Sequence, residues 1–187
     1  MNIVLAGSIQ VSVLPQEVIE QLNHWMESEC HFLIGDAPGA DTAFQSYLLK
    51  SNYKLVKIFS SNDEVRNNSG GWTSEIINSG LKSNGHARHS AKDRHMTQLA
   101  EIGLMLWDGK STGTLANIID LLRQSKECFV YLLTEKLFAK FDTEDALLNA
   151  ISNHKEAHTE ALKRLASYNK RIQKKLKEVI DDQQSLF

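Results

Sequence analysis

The residues of this chain best placed to do chemistry gather in three glycine-bearing turns: Gly7-Ser8, "GDAPGAD" from Gly35 to Asp41, and "DGKSTGT" from Asp108 to Thr114. Glycine lets backbone N–H groups approach a bound group closely. The last two turns run directly into segments with helical patterning. A helix start leaves about four N–H groups without internal partners and carries roughly half a positive charge, so an anion suits it. Lys110, Ser111, Thr112 and Thr114 add side-chain donors. Two readings stand side by side. In one, Gly7, Ser8, Gly35, Asp36, Gly39, Ala40, Asp41, Lys110, Ser111, Gly113 and Thr114 surround a phosphate-bearing ligand. In the other, Asp108, Ser111 or Thr112 caps a helix while Gly35, Gly39, Gly109 and Gly113 supply positive φ. Neither long turn fits G-x-G-x-x-G, and no G-x-x-x-x-G-K-[ST] occurs, which argues against a P-loop NTPase or a simple NAD dehydrogenase.

The elements that must position these turns are legible as patterns. Short apolar runs at 3–6, 32–34, 55–59, 103–107 and 129–133 lack strict alternation, as strands buried on both faces do. Between them lie helical spacings at 15–27, with Pro15 in the first turn, at 40–50 and at 115–122. The alternation predicts a parallel α/β sheet of about five strands flanked by helices, with right-handed crossovers and ligands bound beyond the carboxyl ends of the strands. Residues 60–91 interrupt the pattern with a polar stretch containing "RNNSGGW", long enough to be a functional loop or an irregular insertion. Trp72, beside Gly70-Gly71, either pins that stretch or covers a ligand; Arg66 and Arg88 flank it, making the three the lid candidates. Trp107, just before the third turn, either stacks a base or packs beneath the turn.

The expected organisation is a ligand-binding domain over 1–135 and a helical extension over 136–187. In "FDTEDALLNAI" Asp142 or Thr143 is the expected N-cap. Farther on, Leu162, Leu165, Asn169, Ile172, Leu176 and Val179 form a heptad-like seam that would pack on its own domain or join two copies in a homo-oligomer. Eight basic residues against Glu156 and Glu160 over 155–177 make this stretch the one local footprint for nucleic acid.

Composition narrows the classes. A chain of 187 residues with 42% hydrophobic and 24% charged residues has the makeup of a globular domain with a real core. Its net charge of −2 gives no overall field toward DNA or an anionic membrane. Cys30 and Cys128 open apolar stretches and read as small buried residues. With no signal-like or membrane-spanning stretch, a cytoplasmic protein without membrane association is expected. His86, His89 and His95, and the pair His154 and His158, lack the companions a metal site needs, so neither a metal nor another cofactor is expected.

The set "GDAPGADTAFQSYL" followed by "KDRHMTQLAEIGLMLWDGKSTGTLANIIDLL" and an apolar strand resembles the SLOG superfamily of Rossmann-like proteins. The likeness is nearest to the YspA-type branch, with DprA-type single-stranded DNA-binding mediators and LOG nucleoside-monophosphate phosphoribohydrolases more distant. It covers about residues 1–135. It implies a pocket for a nucleotide or nucleotide-derived molecule, with Gly35, Gly39, Ala40 and Asp41 matching the family's "GGxxGAD" turn and Asp36 replacing its second glycine. Gly113 and Thr114 match the "GT" that heads the phosphate-facing helix. Lys92 stands where the hydrolases have Arg, attracting phosphate as a point charge. Asn117 occupies the place of the glutamate that assists N-glycosidic cleavage there, and an amide cannot take a proton at neutral pH. Nucleotide binding, as in a sensor, is therefore the expected function. The alternatives are a hydrolase or transferase on an N-glycosidic bond, with Asp93 or Asp108 as acid or base, and a DprA-like association with single-stranded DNA.

Overall fold

The computed structural model describes residues 1–77, 85–152 and 163. Along the chain run β1 (Asn2–Gly7), α1 (Gln16–Glu27), β2 (His31–Gly35), α2 (Ala40–Lys50), β3 (Val56–Ser60), β4 (Thr73–Ile76), α3 (Gly85–Leu99), β5 (Ile102–Trp107), α4 (Thr112–Arg123), β6 (Glu127–Leu132), β7 (Leu137–Phe141) and α5 (Glu144–Ser152). One sheet takes the strands in the order β4-β3-β2-β1-β5-β6-β7. All neighbours are parallel except β6 and β7. The chain builds outward from β1 to β4 and then returns through α3 to place β5 on the other side of β1. That reversal between β1 and β5 opens a crevice at the strand ends, where α/β proteins bind ligands.

Side-chain alternation explains the unbroken apolar runs. Ile3, Leu5, Leu104 and Leu106 point to the face covered by Val18, Leu22 and Trp25 of α1 and Phe44 and Leu48 of α2. Val4, Met105 and Trp107 point to the other face, under Met96 of α3, Leu115 and Ile118 of α4, and Leu147 and Ile151 of α5. The central strands bury both faces, as the Rossmann-like α/β reading requires. Pro15 stands one residue outside α1, at its N-cap with φ −62°, and its carbonyl accepts from Ile19 N–H at 3.1 Å. Cys30 and Cys128 are buried free thiols, and burial pushes the Cys128 thiol up.

The sheet has seven strands where about five are expected from the patterning. The two extra ones sit at its edges. β4, "TSEI", is mostly exposed and polar because an edge strand need not bury its side chains, so it carries no apolar signal. It also gives regular structure to part of the polar 60–91 stretch, whose later portion enters α3. β7 lies beyond residue 135, so a boundary there falls inside a hairpin. A short turn with Lys136 at φ 51° returns the chain antiparallel to β6, in register Tyr131↔Phe138. The segment after 135 thus begins as a strand of the same sheet. Thr143 caps α5, accepting from Ala146 N–H at 3.2 Å, and Arg123 clasps Glu144 at 3.1 and 2.9 Å, fastening α5 to α4. The seam from Leu162 to Val179, the basic stretch 155–177 and the pair His154 and His158 lie outside the described residues, apart from Lys163. Among the described residues no helix is long and apolar enough to cross a membrane.

Gly39, just ahead of α2, has φ +84°, and a Cβ there would stand 2.4 Å from the Ile9 backbone. Gly39→Ala is therefore expected to lower unfolding free energy by about 2 kcal/mol or more, combining left-handed strain with a backbone clash. Urea denaturation checks this: a midpoint shift without change in slope is the expected outcome.

Candidate functional site

Ser8 joins the three turns. It is buried, its N–H donates to the Leu106 carbonyl at 2.9 Å, and its own carbonyl accepts from Ala40 N–H at 3.3 Å. Its hydroxyl accepts from Asp108 N–H at 3.1 Å and lies 3.4 Å from the Thr114 hydroxyl. Ala40 and Ser8 thus spend their groups on joining the turns. Gly7 is required for the same approach, since a Cβ would meet the Leu106 carbonyl oxygen at 2.5 Å and the Ala40 Cβ at 2.8 Å.

In the third turn Asp108 accepts from the N–H groups of Lys110 at 3.0 Å and Ser111 at 2.8 Å, while Gly109 takes φ +77°. Ser111 caps α4, accepting from Thr114 N–H at 3.3 Å. Trp107 is buried and its indole N–H donates to the Ser111 carbonyl at 2.9 Å, so it packs beneath the turn and pins it. The N–H groups of Thr112 and Gly113 have no acceptor among the described residues. Beyond its own helix, a Cβ on Gly113 would meet nothing within 4 Å.

The second turn sends its two aspartates in opposite directions. Asp36 turns toward the segment after β3, where its carboxylate accepts from the Ser60 hydroxyl at 2.8 Å, Arg66 N–H at 3.1 Å, and Arg66 Nε and Nη2 at 3.2 and 2.7 Å. Burial opposes its charge, but the Arg66 and Ser60 donors prevail and hold the carboxyl down at about 2. The same contacts raise Arg66 above its ordinary range. Asp41, in the first turn of α2, is buried and accepts from Ala37 N–H at 3.1 Å. Gly35 makes room for it: a Cβ there would lie 2.2 Å from Asp41 Oδ2 and 2.6 Å from Lys92 Nζ. Burial pushes Asp41 up to about 6, with Asp93 and Asp36 adding to the rise and Lys92 and Ala37 N–H resisting it. Burial likewise opposes the charge of Lys92, but Asp93, 3.2 Å away, and Asp41 outweigh it and hold the ammonium above its ordinary range.

Around this pair lies a cleft of about 350 Å³. Its α3 wall is Lys92, Asp93 and Met96; its α4 wall is Ser111, Gly113, Thr114 and Asn117. Val4, Ala6 and Gly7 of β1 form the base with buried Gly35 and Asp41, and Ala37, Pro38, Ile9 and Arg66 complete the lining. The side-chain amide of Asn117 has no hydrogen-bond partner among the described residues. The cleft thus gathers Gly7, Gly35, Asp41, Lys92, Asp93, Ser111, Gly113, Thr114, Asn117 and Arg66 from the residues singled out by sequence. Ser8, Asp36, Gly39, Ala40 and Asp108 stand behind it, holding the turns, and exposed Lys110 is not part of its lining. Asp108 is committed to its turn, which leaves Asp93 as the cleft-facing member of the two expected acids.

Of the two readings of Trp72, its contacts are those of a pin. Its indole N–H donates to the Tyr53 carbonyl at 2.9 Å, and its backbone is held by both ends of the Asn68 amide at 3.0 and 2.7 Å. Its ring packs in the core of the α1 and α2 face. Arg88 belongs to α3, but its side chain, like those of His86 and His89, lies outside what is described. His95 sits 3.2 Å from Glu75 and beside the Phe59 ring, away from the cleft. Ile9, Ala37, Pro38 and Met96 escaped the sequence reading because isolated apolar residues in turns and helices carry no site signal. Ile9 is 63% exposed, the feature that marks it once a structure exists. Compared with family models, curated proteins and solved structures, the chain matches none.

Asp36 and Asp41 have opposite effects on stability with pH. The lowered carboxyl of Asp36 contributes stability above its unfolded value near 4, on the order of 2 kcal/mol, that is lost as pH falls toward 2. The raised carboxyl of Asp41 costs stability at neutral pH, a cost relieved as pH falls through about 6. Melting temperatures from pH 2 to 8 check this: Asp36→Asn is expected to flatten the acid limb and Asp41→Asn the limb between pH 4 and 7.

Proposed function

We propose that the protein binds a nucleotide or nucleotide-derived molecule in the cleft beyond the ends of β1, β2 and β5. The observation that carries this reading is the start of α4. Its Thr112 and Gly113 N–H groups are unclaimed among the described residues, and Gly113 leaves the approach to them open. Glycine near a helix start costs up to about 1 kcal/mol relative to alanine, and no packing around Gly113 requires it. A phosphate accepting from those N–H groups supplies a reason for it.

The rest of the cleft fits the same class of ligand. Lys92 and Arg66 bring positive charge to its sides, and Ile9, Pro38 and Met96 offer apolar surface to a base or sugar face. A volume of about 350 Å³ lies within the range of small-molecule sites and suits one mononucleotide-sized molecule. Asn117, one helical turn beyond Gly113, brings an amide with both a donor and an acceptor. Binding is favoured over N-glycosidic chemistry because Asp108 is held in its turn, Asp93 is paired with Lys92 at 3.2 Å, and position 117 is an amide.

A thermal-shift panel of nucleoside monophosphates tests the reading. Saturation at about 100 times Kd is expected to add about 2.7 kcal/mol, several degrees for a chain of this size. Gly113→Ala is expected to be no less stable than the wild type yet to bind adenosine monophosphate about tenfold more weakly, since its methyl group covers the α4 N–H groups. Unchanged affinity in that variant counts against the site.

A further inference from the structure

The cleft that receives an anion in this reading is poor in free positive charge. Among the described residues, Asp36, Asp41 and Asp93 face Lys92 and Arg66, three carboxylates against two cations. Arg66 is engaged by Asp36 at 2.7 Å, and the two largely neutralise one another. The remaining cation, Lys92, lies between Asp93, at 3.2 Å, and Asp41, with which it shares the space left by Gly35. An anion that reaches Lys92 must therefore share one ammonium with two carboxylates.

The two carboxylates differ in how they can respond. The Asp93 side chain is 26% exposed, so water screens it. Asp41 is only 5% exposed, and an added negative charge nearby acts on it with little screening. Proton uptake relieves that repulsion, and the protonated carboxyl leaves Lys92 to the incoming anion. We infer that binding of an anionic ligand in this cleft is coupled to proton uptake from solvent by the Asp41 carboxylate.

The inference rests on the proposed anion-binding function. The charged groups that act on Asp41 are Lys92 and Asp93 from α3, Asp36 from the turn before α2, and Arg66 from the segment after β3. Ala37 N–H is the backbone donor to its Oδ2. Burial has already carried the carboxyl to about 6, so modest further repulsion brings it into the neutral range. The ligand is then held more tightly as pH falls.

Calorimetric titration of the full chain with adenosine monophosphate, at pH 7 in buffers of different ionisation enthalpy, reads the proton directly. The wild type is expected to take up a larger fraction of a proton than Asp41→Asn, which can still accept from Ala37 N–H but cannot titrate. The ligand phosphate, titrating near pH 6, contributes to both proteins, and the comparison isolates Asp41. Asp41→Asn is also expected to bind several-fold more tightly at pH 7.5. Sulfate, whose charge is constant over this range, supplies a test in the wild type alone should the variant not fold: affinity is expected to be about fivefold higher at pH 6 than at pH 8. Equal proton uptake by the two proteins, or a sulfate affinity that does not change with pH, overturns the coupling and leaves the anion site standing. Absence of binding by both probes at every pH overturns the site and the coupling together.

Discussion

The buried electrostatic attraction between Asp41 and Lys92 is the constraint around which the strand ends are arranged. α2 and α3 cover opposite faces of the sheet, and Asp41 of one and Lys92 of the other share the space where Gly35 has no side chain. Neither charge can be left alone at that depth: removing one partner of a buried pair costs on the order of 3–5 kcal/mol because the other stays desolvated. Gly35, Ala37 N–H and Asp93 are the accommodations that make the pair tolerable. They also draw α3 in beside β1 and shape one wall of the cleft.

A second set of contacts holds the other wall. Ser8 ties the start of α2 to the turn before α4, and Asp108, Ser111 and Trp107 then fix that turn from within. These residues resemble ligand-binding residues in type and place, but their polar groups are spent on one another. What they leave unspent is the N–H pair at the head of α4 and the Asn117 amide. These two groups are preorganised, since they do not have to leave other partners first.

The polar segment after β3 owes its order to Asp36. By clasping Arg66 and accepting from Ser60, that carboxylate fastens the chain before it reaches β4, and Trp72 then anchors it to Tyr53. The segment therefore works as a rim that brings Arg66 to the cleft, with its irregular sequence satisfied by side-chain hydrogen bonds in place of a ladder. Two aspartates five positions apart thus take opposite electrostatic roles. One is held charged by a guanidinium at the rim; the other is pushed toward neutrality by burial at the floor.

The sequence by itself determined the α/β class, the five central strands, the helices α1, α2 and α4, and the turns that would meet at the strand ends, but not α3. Those features depend on local periodicity and on glycine and hydroxyl residues in turns, both written in consecutive residues. It did not reveal β4 or β7, because edge strands need not be apolar, nor the division between residues that line the cleft and residues that hold it. Asp36 and Asp41 look alike in sequence, as do Ser8 and Ser111. Only tertiary structure decided which carboxylate met Arg66, which met Lys92, and which hydroxyl was consumed between turns, because burial and charge pairing are set by residues brought together from distant parts of the chain.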